Sequence, residues 1–469
     1  MKRLWICKRL IAVAVRWSAI GILAGCVHYR AKPLTPAGTL STIEARSIDD
    51  PQLKSFLETN HVVLTDPPRW DLRALTLIAF YFHPDLDAAR AAAAVSSGGV
   101  ITAGERPNPQ VVPALGIDTT TPPPWIPGLG LQIPIEAAGK RGYRLAGARH
   151  RLQADQLRIV DVAWRVHVRV RRTLQDFVAA RRAEDILARQ VALEDQIVQL
   201  LERQLNEGAI TPFEVTQARL AAANIRLAAD QAAFQRALSG TALADALGLP
   251  SESFERFAKF VDAAEMSGTQ IPDDKARRQA LVSRADVLAA LSDYEAAQSA
   301  LQLEVARQYP DIQLGPGYQL DQTDNKYTIA AGITLPILSQ NRGPIAEAQA
   351  HREQAAGRMV SVQAAALRQV SEAMATLTAA RQKLATAKSL LGTARQQEQR
   401  ARVRYELGDV SRQDVLTAQL EVVAAEAAQS DAQLQADTAA GALEDAMQSP
   451  LGFENVVLTN PRLAEGKRP

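Results

Sequence analysis

Cysteine is nearly missing from this 469-residue chain, which has two, Cys7 and Cys26. A disulfide-stapled fold is excluded, and so is a cysteine-rich metal framework. Aromatic residues make up only 5% of the chain, too few for an ordinary globular core. Much of the apolar fraction is alanine instead, which suits helices packed at close range. Neither sign of charge dominates, with 53 Lys and Arg against 51 Asp and Glu. No polyanion partner such as a nucleic acid is implied. The basic cluster Arg169, Arg171 and Arg172 reads as a solvated helix face. The six histidines, His28, His61, His83, His150, His167 and His351, form no HxxH or HxxxH pair, whereas a metal site needs several convergent ligands. There is no GxSxG, no P-loop and no GxGxxG ahead of a helix, and the Ser-Ser-Gly-Gly run at 96–99 reads as a flexible break. These absences speak against an enzyme and imply no cofactor and no resident metal.

What is present begins at the N-terminus. Lys2, Arg3, Lys8, Arg9 and Arg16 precede a short apolar run at 17–24. Residues 1–25 therefore read as a secretory signal, too short to be a membrane span. The small residues Ala24 and Gly25 before Cys26 resemble a bacterial lipoprotein cleavage box. Cys26 is then expected as the acylated first residue of the mature chain, which keeps a single cysteine. An ordinary signal peptide with an incidental cysteine is the competing reading. Val27, where an aspartate would retain a lipoprotein at the inner membrane, implies sorting to the outer membrane. Residues 26–68, with Pro33, Pro36, Pro51, Pro67 and Pro68, read as an extended tether with at most short helices.

The rest of the chain is doubled. At 402–420 the sequence RVRYELGDVSRQDVLTAQL runs a helical pattern into Gly408 and restarts it at Ser411. Gly408 can take the positive φ that ends a helix, and Ser411 with Asp414 makes a capping-box start. At 204–220 the sequence QLNEGAITPFEVTQARL repeats the construction with Gly208, Thr211, Pro212 and Glu214. Two such hairpins imply an internal duplication, with repeats at 69–250 and 280–450, a linker at 251–279 and a tail at 451–469.

Each repeat also carries a stretch of period two. Leu129, Leu131, Ile133 and Ile135 alternate with small or polar residues, as do Ile312, Leu314, Tyr318 and Leu320 and then Tyr327, Ile329, Ala331 and Ile333. These predict β-hairpins at 109–136 and 311–337, with strands of about 9–11 residues, the length of a tilted bilayer crossing. Trp125, Tyr318 and Tyr327 fall near strand ends. Each β-hairpin leads into a long helix, the first without proline from 138 to 207. Val191, Val198 and Leu205, with Leu187, Glu194 and Leu201, predict a coiled-coil seam with a polar member. In the second repeat the seam runs through Leu367, Val370, Met374, Leu377, Arg381, Leu384, Lys388 and Leu391. The return helices are marked by Leu220, Leu227 and Phe234, then by Leu416, Leu420, Val423 and Leu434.

The fold expected is mainly α, with long duplicated coiled-coil hairpins and a small membrane β-barrel portion. Four strands cannot close a barrel, and an open edge in lipid leaves backbone groups unpaired at a cost of several kcal/mol each. A homotrimer with twelve strands is the natural closure.

The pattern GxxSxxDVLxAQ at 408–419, its copy GAITPFEVTQAR, and the strand exits LQIPIEAAGKRG and ITLPILSQNRG resemble the TolC-type outer-membrane efflux channels, over about 72–451. The resemblance implies a trimeric barrel in outer-membrane lipid, an α-helical tunnel in the periplasm, and tips that meet a periplasmic adaptor joined to an inner-membrane pump. It assigns adaptor contact to Gly208, Ala209, Ile210 and Thr211 and to Gly408, Asp409, Val410 and Ser411. It places Glu214, Tyr405 and Asp414 near a tunnel constriction. Those tip residues read equally as helix caps. Val410 and Thr417 depart from the polar or charged gate residues of some relatives. The segment AAGKRGYR is most similar to the heavy-metal branch, which works with proton-driven pumps. Drug or solvent efflux and type I secretion are the other cargo readings. A periplasmic coiled-coil scaffold, or the adaptor itself, is the reading of another class.

Overall fold

The computed structural model describes residues 29–62, 69–120, 122, 124–261 and 273–448. The expected signal peptide, Cys26 and the tail at 451–469 lie outside these residues. The chain divides into two compact units, Met1–Arg46 and Ser47–Pro469. The first holds helix α1 (Pro36–Glu44), opened by Thr35, whose side chain accepts from the Gly38 amide.

In the second unit α2 (Pro51–Thr59) and α3 (Leu72–Phe82) precede α4 (Pro84–Gly104). Asp71 caps α3 by accepting from the Ala74 amide at 2.7 Å. Proline at the first position of α4, with Asp85 and Asp87 behind it, suits the positive helix end. The predicted break at 96–99 is not there: α4 runs unbroken through Gly98 and Gly99. Each glycine costs a helix about 1 kcal/mol, and α4 is held laterally by Ser96, which donates to Asp155 of the next helix.

Strands β1 (Gln110–Ile117) and β2 (Trp125–Ile135) form the first β-hairpin. Helix α5 (Lys140–Asn206) follows, 67 residues long, or about 100 Å at about 1.5 Å per residue. Helix α6 (Pro212–Leu247) returns, then the short α7 (Ser251–Glu255) and a 3₁₀ turn, Ala258–Phe260. The second half repeats the order: α8 (Asp274–Ser283), α9 (Ala285–Ala306), β3 (Ile312–Asp321), β4 (Asp324–Ile333), α10 (Arg342–Glu406) and α11 (Arg412–Met447).

The two β-hairpins join into one antiparallel sheet in the order β1-β2-β3-β4. Ile135 of β2 faces Ile312 of β3, which faces Ile333 of β4. The repeats are thus sewn together through β2 and β3, and β1 and β4 are left as edges.

The large side chains gather at one level. Leu75, Ile78, Phe80 and Phe82 of α3 pack with Ile159, Val170, Leu174 and Phe177 of α5, Leu243 and Leu247 of α6, and Phe254 and Phe257. Leu53 and Leu57 of α2 are wholly buried in the same cluster. The predicted tether at 26–68 therefore needs correcting: its helix α2 belongs to the core, because Leu53, Phe56 and Leu57 form an apolar face. Elsewhere alanine packs the helices, as where Val370, Ala373, Leu377 and Ala380 of α10 meet Ala436, Ala439, Ala440 and Leu443 of α11.

One residue of the predicted seam needs correcting: Leu367 of α10 is 57% exposed. The return helix marked by Leu220, Leu227 and Phe234 is present as α6, with these residues 60%, 70% and 55% exposed. Period seven identifies a face of a helix, and it does not say which partner covers that face. Among the described residues no helix is long and apolar enough to cross a membrane.

Candidate functional site

Three zones carry the polar architecture: the helical tips, the roots of the return helices, and the layer where strands become helices.

At the first tip Gly208 takes φ 71°. Its amide donates to Leu205 O at 2.9 Å, and the Ala209 amide donates to Gln204 O at 2.8 Å. At the second tip Gly408 takes φ 76°. There the Gly408 amide reaches Tyr405 O at 3.0 Å, and the Asp409 amide reaches Arg404 O at 2.9 Å. Both are Schellman endings, which satisfy carbonyls a helix end would leave bare. The next helix starts at once. Glu214 accepts from the Thr211 amide at 2.7 Å. Asp414 accepts from the Ser411 amide at 2.8 Å and the Ser411 hydroxyl at 2.7 Å. The Ser411 hydroxyl, then the Ser411 amide, holds the Asp414 carboxyl below its usual range.

The tips are also brought together. Ile197 and Leu201 of α5, Val215 of α6 and Leu416 of α11 form one cluster, with Ile210 against it. Arg404 donates to Asp409 at 2.7 Å across the second tip. Of the predicted adaptor residues, Ile210 and Val410 are half-buried, while Gly208, Ala209, Thr211, Gly408, Asp409 and Ser411 are exposed. Of the predicted constriction residues, Glu214 and Asp414 serve as capping acids and Tyr405 is exposed.

Between tips and roots, Glu426 of α11 ties three helices. It accepts from Arg189 of α5 at 2.7 Å and Arg395 of α10 at 3.1 Å. A groove of about 630 Å³ nearby is walled by α5, α6 and α11, chiefly by alanine and leucine side chains.

At the root, Arg171 of α5 is buried. It donates to Glu444 at 2.8 Å, to Gly441 O at 2.8 Å, and to Asp445. A Cβ on Gly441 would lie 2.8 Å from the Arg171 Nε, so this guanidinium requires glycine there. Arg284 donates to Ala446 O at 2.5 Å and grips Asp286 with two bonds, at 2.9 and 2.7 Å. Arg284 thus caps a C-terminal carbonyl of α11, while Arg171 ties α5 to the last two turns of that helix. Sequence reading missed this joint and took Arg171 for a solvated residue. The signal available was the buried stripe Ala163, His167, Val170 and Leu174 around it.

His167 sits one turn before Arg171. The Thr76 hydroxyl donates to Leu72 O at 2.7 Å, so it accepts from His167 Nδ1 at 3.0 Å. Burial first, then the Arg171 charge, lowers the His167 pKa to about 4. The ring is neutral at neutral pH.

In the strand–helix layer, Ala138 and Gly139 both take positive φ before α5, as do Gln340 and Asn341 before α10. Lys140 is buried and donates to Tyr309 O at 2.7 Å and Asp311 at 2.8 Å. Asp311 also accepts from the Ala137 amide at 2.9 Å. Arg144 holds Glu136 with two bonds. The duplicated exits of β2 and β4 are turned by the same backbone device, and among the described residues no group of three His, Cys, Asp or Glu could hold a metal.

The zones describe a wall of helix caps, ion pairs and packed apolar faces. The family described as outer membrane efflux protein matches residues 82–249 and 276–448. The chain is 24% identical over 327 residues to the cobalt-zinc-cadmium resistance protein CzcC of Cupriavidus metallidurans, covering 69% of this chain and 77% of that one. It superposes on the outer membrane protein VceC of Vibrio cholerae with TM-score 0.65 and 21% identity, covering 80% of this chain and 95% of that one. It also superposes on CusC, whose structures concern folding and transmembrane channel formation, with TM-score 0.65 and 18% identity, covering 80% and 91%.

Proposed function

The chain belongs to the outer membrane efflux protein family, and from that premise we propose that it is the exit duct of a three-part efflux assembly. It is a channel and not an enzyme. The observation that carries the reading is the open sheet, whose edge strands β1 and β4 have no further partner strand among the described residues. In lipid such edges must be paired. Three copies supply twelve strands and close a barrel, with the long helices continuing as a tube in the periplasm. Cys26 serves as the lipid anchor.

The exposed tip residues Gly208, Ala209, Thr211, Gly408, Asp409 and Ser411, with Ile210 and Val410 beneath, meet a periplasmic adaptor. That adaptor couples the duct to a proton-driven pump in the inner membrane. Glu214, Tyr405 and Asp414 lie at the narrow end. The carboxylates of Glu214 and Asp414 there are groups that pair with arginines or select cations. Heavy-metal cations are the cargo favoured, in keeping with the likeness to CzcC, a cobalt-zinc-cadmium resistance protein.

Fractionation and planar-bilayer recording test the channel. Expected are an outer-membrane, heat-labile oligomer and stepwise conductance. A soluble monomer without conductance would reject it. Deleting the gene tests the cargo: cobalt, zinc or cadmium tolerance should fall, and unchanged tolerance would remove the metal assignment.

A further inference from the structure

The layer beneath the strands holds more cations than it neutralises. Lys140, Arg144 and Arg307 pair with Asp311, Glu136 and Glu304. Arg106, Arg141 and Arg342 are exposed and have no carboxylate partner among the described residues, and Glu105 is the acid beside them. Arg141 donates to Gly104 O at 2.6 Å, and Arg342 to the Gln340 side chain at 2.6 Å.

Hydrogen bonds hold these arginines at one level. Arg144 donates to Glu105 O at 3.3 Å, which places Arg106 beside the start of α5. The Gln308 side chain donates to Gln340 O at 3.1 Å, next to Tyr309, which accepts from Lys140. The end of α4, the start of α5, the end of α9 and the start of α10 therefore share one layer. Strand β2 has 11 residues. Tilted as barrel strands are, it rises about 25–30 Å, the depth of the hydrocarbon region. The arginine layer thus falls at the headgroups of the periplasmic leaflet. The far end of the same sheet has the opposite sign, with Asp118, Asp321 and Asp324 there and Lys326 paired to Asp321.

A guanidinium presents a planar fork that matches phosphate oxygens, and charge near a bilayer surface selects anionic lipid. From this geometry we infer that Arg106, Arg141 and Arg342 form a binding surface for anionic phospholipid headgroups, seating the barrel on the inner leaflet. The inference rests on the outer-membrane channel reading above.

The test uses the full-length protein in nanodiscs of phosphatidylethanolamine with added phosphatidylglycerol. Retained lipid is counted by native mass spectrometry, and conductance is recorded on the same preparation. Phosphatidylglycerol should be retained about fivefold over phosphatidylethanolamine, falling as salt rises. The triple variant R106Q/R141Q/R342Q should lose that preference while still assembling and conducting. If it fails to assemble, R106K/R141K/R342K in graded salt reads the same term, since charge is kept and the fork is lost. A conducting wild-type channel without lipid preference, or with a salt-independent one, overturns the inference and leaves the channel reading intact. A glutamine variant whose pore selectivity shifts while lipid retention is unchanged also overturns it. Absence of both oligomer and conductance in the wild type would instead reject the channel.

Discussion

Arg171 shows what one side chain does in this fold. A buried guanidinium is tolerated only when its donors are met, and here the end of α11 supplies Gly441 O, Glu444 and Asp445. Removing it strands two carboxylates, both partly exposed. Water screens them, so Arg171→Met should cost about 2 kcal/mol, below the range for a fully buried pair. Denaturant titration followed by helical circular dichroism would check it. Gly441→Ala should act in the same direction, because its Cβ displaces the guanidinium. His167 gives a pH dependence of known sign. Its pKa is lowered from 6.5 to about 4, so the unfolded chain binds a proton that the folded one refuses. Stability is then full above 6.5 and falls as pH drops toward 4, by up to about 3 kcal/mol. His167→Leu should flatten that slope, as measured by melting between those values. Neither residue was legible beforehand. A run of basic residues fixes composition, while the azimuth that turns Arg171 inward is set by Val170 and Leu174 on the same stripe.

The tips are the opposite case, because the capping interactions that turn the chain there are local. A glycine at positive φ, a hydroxyl cap and an acid three residues on are all written within a dozen positions, and the structure uses each one. Gly408→Val places a β-branched residue at φ 76°, at a cost of at least about 1–2 kcal/mol. The tip must then rearrange while the helices, packed along their length, persist. Export should be lost with the oligomer intact, and intact export would remove the coupling role. Asp414 adds a pH window here. Its carboxyl is held below the usual 3.8 by Ser411, so the cap is complete above that value and released as pH falls through the lowered one. Hydrogen exchange at the first turn of α11 should rise in that acid range, and Asp414→Asn should abolish the change. Helix faces were read less well than helix ends. Leu220, Leu227 and Phe234 marked the return helix α6, but nothing in their spacing said that the side carrying them is turned outward.

For the whole molecule those outward residues join the sheet edges in one argument. Phe213, Leu220, Leu227 and Phe234 recur every seven residues along α6 and are 68%, 60%, 70% and 55% exposed. Helix α10, on the other flank, shows Val360, Leu367, Leu390 and Val403. In the proposed ring, these two apolar flanks and the two strand edges left open among the described residues would be the halves of a single heterologous contact. On that proposal, the contact repeated by rotation completes barrel and tube through one interface. The duplication was legible because it lies in the linear order. The expectation of sister copies rests on the arithmetic of strands alone, since no pattern within one chain says that its neighbour is itself. Each stripe residue is worth about 1.5–2 kcal/mol when covered. Leu220→Glu with Leu227→Glu should therefore forfeit several kcal/mol per interface and add buried charge. The variant should remain helical by circular dichroism, because both side chains are mostly exposed within their own chain. It should run as a monomer on light-scattering chromatography and give no conductance. A variant that assembled normally would mean that the strand edges alone close the ring, with the α6 stripe facing solvent or another protein.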